Sequence, residues 1–136
     1  MQYLKRGEDF ITPEGEIVAN ELLTVAPPPA RSFAYMTDTL FRERFADYVR
    51  GVDLLYHEAT YMNADAVLAK ESYHSTTGQA ARIAELAGVG KLLLGHFSAR
   101  YTECSELLAE AREVFPNTFL CSDGDLFEVP AVKRRS

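Results

Sequence analysis

Apolar positions along the chain change their period several times, and each change marks an element. In "DFITPEGEIV" the arms Phe10-Ile11 and Ile17-Val18 flank Pro13-Glu14-Gly15, the pattern of a β-hairpin. "APPPAR" then sets Pro27, Pro28 and Pro29 in a row, a rigid crossing that offers no ladder donors. "SFAYMTD" reads as a short strand ending on Asp38. Phe41, Phe45, Tyr48 and Val49 fall at helical spacing on one face of "FRERFADYV".

A second strand, "VDLLYHE", is followed by a short helix over 64–71. Thr76-Thr77-Gly78-Gln79 predicts a capping box opening a helix that turns Ala80, Ile83, Ala84 and Ala87 inward. Gly88 and Gly90 stop that helix before the strand "KLLLG". The helix over 105–115 directs Leu108, Ala111 and Phe115 inward, and Pro116 ends it. "TFLCSDGDLFEV" closes the chain as two strands about Ser122-Asp123-Gly124. Strands alternating with helices imply a layered α/β domain with a largely covered sheet.

Composition narrows the class. At 136 residues, one domain over 1–130 is expected, followed by a disordered basic tail over 131–136 around Lys133-Arg134-Arg135. No apolar run approaches a membrane span and the first residues lack the apolar core of a signal peptide, so cytoplasmic residence is expected. A net charge of −6 argues against a broad nucleic-acid surface. Cys104 and Cys121 form no CxxC pair and read as two reduced thiols, with Cys121 in a core strand.

In open α/β sheets, functional groups gather beyond the carboxyl ends of the strands. Here three strand exits carry Asp38, His57-Glu58 and His96. Each has an ordinary explanation: Asp38 as a helix cap, His96 as a satisfied histidine, His57-Glu58 as a strand end fading into solvent, His74 as a loop residue. Imidazole and carboxylate are also the ligands that zinc or manganese prefers. Yet the three histidines have no compact spacing such as HxH or HxxxH, so spacing alone gives a metal site little support.

The segments "FAYMTDT", "DLLYHEATY", "YHSTTGQAARIAELAGVGKLLLGHFSARY" and "FPNTFLCSDGDLFEVP" occur in that order. Together they resemble the C-terminal half of ribonuclease Z, the tRNA 3′-processing endonuclease of the metallo-β-lactamase fold. The resemblance covers the chain from about residue 5 to residue 130, and it implies the C-terminal half of an αββα sandwich with a mixed sheet and covering helices. It makes Asp38 the carboxylate that bridges two zinc ions and His96 a ligand of one of them. It makes His74 and Glu58 a catalytic pair, the imidazole beside the scissile phosphate and the carboxylate orienting it. Arg100 becomes a candidate for an RNA phosphate, with a salt bridge to a nearby acid as the alternative.

The departures from the family pattern matter equally. The HxHxDH motif that holds most of the family's zinc ligands is absent, as is the flexible arm that grips tRNA, and there is no fourth histidine. The chain is therefore expected to be part of a zinc-dependent endoribonuclease that cuts precursor tRNA 3′ of the discriminator nucleotide. Its partners would be a missing N-terminal half, precursor tRNA and a second copy in a homodimer, with no membrane. Alone it is expected to be inactive. Two other readings remain: a non-catalytic, self-associating module of the same fold, and half of a related metal-dependent phosphodiesterase or hydrolase.

Overall fold

The computed structural model describes residues 2–129; the expected basic tail lies outside them. Residues up to Pro29 make one compact unit and those from Ala30 onward another. In the first, β1 (Phe10–Ile11) pairs antiparallel with β2 (Ile17–Val18), the hairpin that the Pro-Glu-Gly turn predicts. A short helix α1 (Asn20–Leu23) follows. Its Asn20 side chain donates to the carbonyls of Leu4 and Glu8 at 2.8 and 2.9 Å, tying the hairpin's two approaches together.

The second unit is built on four strands: β3 (Phe33–Met36), β4 (Leu54–Glu58), β5 (Lys91–Gly95) and β6 (Thr118–Leu120). They lie side by side in chain order, and every pair is parallel. Between them run α2 (Ala66–Glu71), α3 (Thr77–Ala87) and α4 (Ser105–Val114), with a 3-10 turn over Asn63–Asp65 ahead of α2. Parallel neighbours need crossover connections, and helices supply them here. No helix among the described residues is long and apolar enough to cross a membrane.

Residues alternate across the sheet. Leu55, Leu92 and Leu94 project into a core closed by Ala80, Ile83, Ala84 and Ala87 of α3 and Ala111 of α4. The small side chains of α3 let the helix axis approach the sheet closely. The predicted capping box is formed in full: Thr76 Oγ1 accepts from Gln79 N–H, and the Gln79 side chain accepts from Thr76 N–H. Gly88 ends the helix in the left-handed conformation, φ 63°, its N–H reaching the carbonyls of Ala84 and Glu85. On the opposite sheet face Tyr35, Tyr56, Leu93 and Phe119 form one row, and Tyr35 stacks on Tyr56 at 4.5 Å. Phe33 and Tyr35 on that face are 54% and 62% exposed.

Several expectations need correction. The segment read as an α-helix over 41–49 is a 3-10 helix over Glu43–Val49, with Tyr48 exposed. Its buried residues, Ala46 and Val49, are three apart, which suits three residues per turn better than 3.6. In α4 the inward stripe is Leu107 and Ala111, four apart, and Leu108 sits on its shoulder. No second strand forms after the Ser122 turn among the described residues: Ser122 and Asp125 close that turn, and Leu126 stands in solvent. The four-stranded sheet of the second unit is therefore parallel throughout its described strands, where a mixed sheet was expected. Cys104 and Cys121 are both free, and Cys121 lies just past β6 rather than within it.

Candidate functional site

The carboxyl ends of β3, β4 and β5 open on one edge, and the sequence places its polar residues there. Glu58 is the last residue of β4, His96 the first beyond β5, and Asp38 lies two residues past β3. His74 reaches the same edge from the turn between α2 and the cap of α3. Asp38 and His96 both hold left-handed backbone, φ 49° and 61°. Asp and His are among the residues that tolerate this region, but a strained position persists only where its surroundings enforce it, and such positions cluster at functional sites.

Asp38, His74 and His96 converge, each offering a ligand atom within 4.8 Å of the others. His96 Nε2 stands 3.6 Å from Asp38 Oδ1, and the two imidazole rings are 5.2 Å apart. The side chains of Asp38 and His96 are 66% and 45% exposed, so a ligand can reach them. One carboxylate and two imidazoles make a donor set that fits a borderline divalent cation such as zinc.

Behind them lies Glu58, fully buried. Its Oε1 accepts from Thr39 N–H at 3.0 Å and from His74 Nδ1–H at 3.0 Å. Its Oε2 accepts from the Thr60 hydroxyl at 2.5 Å and from Thr60 N–H at 3.3 Å. Those four donors fill the roughly four acceptor positions of a carboxylate. One buried side chain thus touches every arm of the site. It fixes the loop of Asp38 through Thr39, His74 directly, and His96 through Thr60, whose Oγ1 lies 2.9 Å from His96 Nδ1. Ser75 adds a strut, its hydroxyl donating to the Thr39 carbonyl at 2.6 Å.

Sequence reasoning picked out Asp38, Glu58, His74 and His96, and the structure brings these four together. It did not single out Thr39, Thr60 and Ser75. The "EAT" and "HST" hydroxyls sat beside charged residues, the one available signal. His57 goes elsewhere. It is buried, its Nδ1–H donates to the backbone carbonyl of Glu58 at 2.7 Å, and burial pushes its pKa below the ordinary imidazole value. Arg100 pairs with Asp65 at 3.3 Å and lies over the Tyr61 ring. Tyr61 in turn lies 6.4 Å, ring to ring, from His74.

Residues 22–97 match the model of the beta-lactamase superfamily domain, a span that includes all four converging residues. A ribonuclease Z of Bacteroides fragilis is 52% identical over 120 residues, which is 88% of this chain and 40% of that protein. A ribonuclease Z of Parabacteroides distasonis is 48% identical over 124 residues, 91% of this chain and 41% of that protein. The chain spans about two fifths of the length of these relatives. Among solved structures, the metallo-beta-lactamase fold protein YhfI of Bacillus subtilis superposes with a TM-score of 0.68 at 26% identity, covering 73% of this chain and 40% of that one.

Proposed function

We propose, from the premise that the chain belongs to the beta-lactamase superfamily, that it forms one wall of the catalytic centre of a ribonuclease Z type endonuclease. The substrate of the whole enzyme would be precursor tRNA, cut in the cytoplasm 3′ of the discriminator nucleotide. The observation that carries this reading is the His74–Glu58 pair set beside Asp38 and His96, in a chain whose relatives are ribonuclease Z proteins.

Asp38 and His96 would hold zinc once the remaining ligands are supplied. Bound zinc would neutralise phosphate charge and make a water molecule nucleophilic near neutral pH. The chain's own residues do the rest. Hydrolysis breaks the bond between phosphorus and the 3′ oxygen, and that oxygen needs a proton as it leaves. Glu58 accepts from His74 Nδ1–H, and in the doubly protonated ring, the form a neighbouring carboxylate stabilises, Nε2–H would give its proton to the leaving oxygen and return to a lone pair. Arg100 would exchange Asp65 for a substrate phosphate.

With His74 kept for the leaving oxygen, two chain ligands leave most of a zinc shell to water, so we expect the isolated chain to bind zinc weakly and to cleave nothing. The test is cleavage of a precursor tRNA after the remaining part of a ribonuclease Z is supplied as a separate polypeptide. Cleavage should appear, and His74→Ala should reduce it by about 10²–10⁴-fold. Reconstitution without activity, or full activity in His74→Ala, overturns the reading. Cleavage of simple phosphodiesters but not of tRNA would point to a related hydrolase.

A second reading has its own observation. Phe33 and Tyr35 leave an aromatic sheet face partly bare, and bare apolar surface favours self-association. A homodimer with no catalytic role would migrate as one in sizing chromatography and gain no activity on reconstitution.

A further inference from the structure

Thr60 sits between two groups whose protons must be accounted for, the buried Glu58 carboxylate and the His96 imidazole. A carboxylate with all its acceptor sites engaged by donors cannot donate. The short contact from Thr60 Oγ1 to Glu58 Oε2, 2.5 Å, is therefore made with the threonine hydrogen. A hydroxyl has one hydrogen. Toward His96 Nδ1, at 2.9 Å, the same oxygen has only a lone pair to offer. His96 Nδ1 must then carry the proton, and in the neutral ring Nε2 is left with its lone pair exposed. That nitrogen is the one that faces Asp38.

We propose that Thr60 is a positioning residue that sets the tautomer of His96, turning an unprotonated Nε2 toward the cation site. The inference rests on the reading of His96 as a ligand. It adds a hydrogen-bond relay in which Glu58 governs both histidines, His74 directly and His96 through a hydroxyl. Free imidazole side chains favour the opposite tautomer, with the proton on Nε2, so the relay has an effect to exert.

The backbone around Thr60 is built to hold it there. Ala59 N–H donates to the Gly95 carbonyl at 2.9 Å, and Ser98 N–H donates to the Thr60 carbonyl at 3.0 Å, locking residues 59–60 to the turn that carries His96. On the other side Tyr61 N–H reaches the Ser75 carbonyl, and Thr77 N–H reaches the Tyr61 carbonyl at 2.9 Å, locking the same segment to the turn that carries His74. Thr60 is 6% exposed, so water does not compete for its hydroxyl. Hydrogen bonds to the far nitrogen of a ligating histidine fix its tautomer and orientation.

The test uses the 136-residue chain labelled with nitrogen-15, studied by long-range proton–nitrogen correlation above the imidazole titration range. In the unaltered chain the Nδ1 of His96 should be protonated and Nε2 bare. Thr60→Ser should preserve that pattern, and Thr60→Val, which keeps the shape and loses the hydroxyl, should lose it. Zinc titrated into the same samples should bind Thr60→Val about 10–100-fold more weakly than Thr60→Ser. A proton on Nε2 in the unaltered chain overturns the proposal without any variant having to fold. An unchanged tautomer or unchanged zinc affinity in Thr60→Val overturns it as well. These spectra read a hydrogen bond, so their outcome is independent of whether the chain takes part in tRNA cleavage.

Discussion

His96 Nε2 and Asp38 Oδ1 face each other across 3.6 Å, and both residues sit in left-handed backbone at the ends of separate strands. Such positions oppose folding slightly and are retained where the side chain has a use. Asp38→Asn tests that use with little structural change, because asparagine tolerates the same conformation. Thermal stability without metal should change by no more than about 0.5 kcal/mol. The rise in melting temperature that zinc should cause in the unaltered chain should shrink in this variant, corresponding to an affinity lower by about tenfold or more. Equal zinc-induced shifts in both proteins would remove Asp38 from the ligand set.

Glu58→Gln should behave differently, since this side chain is buried among donors. An amide has one acceptor oxygen and an NH2 group that would face the Thr60 hydroxyl and N–H or the Thr39 N–H and His74. Leaving a buried donor unpaired costs about 1–3 kcal/mol. Urea denaturation of Glu58→Gln should therefore show a loss of that size or greater. In the reconstituted enzyme, activity should fall nearly as far as in His74→Ala, because a histidine without its carboxylate loses its orientation. Activity close to that of the unaltered enzyme would separate Glu58 from the work of His74.

His57 supplies a pH dependence. Burial holds its pKa below the ordinary value of 6.5, an effect opposed by its bond to the Glu58 carbonyl. The folded chain keeps the ring neutral while the unfolded chain protonates it, so the unfolded state binds more protons once pH falls below 6.5. Stability from this residue is complete above that value and declines as pH drops through it, by up to about 1.4 kcal/mol per pH unit. His57→Gln, which retains a donor for the carbonyl, should flatten the decline measured by urea denaturation between about pH 7.5 and about pH 5.5. An identical decline in both proteins would assign the dependence elsewhere.

How much of this was legible beforehand follows from the range over which each signal acts. The α3 cap was readable because a capping box is local, Thr76 to Gln79. The hairpin about Pro13-Glu14-Gly15 was readable for the same reason. Leu108 was read as inward where Leu107 is, because periodicity locates a stripe only to within a residue, and the neighbour across it, α3, is not adjacent in sequence. At the site, the charged residues announced themselves by their place at strand ends. His57 and Glu58 read alike in sequence, and strand alternation sends one to the core and the other to the site. Thr60 was silent, since a hydroxyl acquires meaning only when two partners from distant segments meet it.

Gly90 marks a close approach of backbone to backbone. A Cβ there would lie 2.6 Å from the Asp53 carbonyl oxygen, while Gly90 N–H already donates to the Val52 carbonyl at 2.9 Å. Neither segment can rotate away as a side chain would. Gly90→Ala should lower stability by about 1–3 kcal/mol, read as a reduced urea midpoint with an unchanged slope. A midpoint equal to that of the unaltered chain would show that the turn before β5 yields.

Arg100 separates a structural from a substrate role by kinetics. Its pair with Asp65 is partly exposed, 44% and 30% for the two side chains, and such pairs contribute no more than about 1 kcal/mol. Arg100→Ala should therefore fold almost as well as the unaltered chain. The guanidinium also rests 5.4 Å from the Tyr61 ring centroid, and that ring lies 6.4 Å from the His74 ring, which puts the fork on the His74 side of the site. If it meets a phosphate that stays bound through the reaction, its loss removes ground-state and transition-state binding together. In the reconstituted enzyme KM for precursor tRNA should rise about tenfold with kcat little changed, and Arg100→Lys should recover only part, since an ammonium lacks the planar fork. Unchanged KM in Arg100→Ala would leave the guanidinium as Asp65's partner and nothing more.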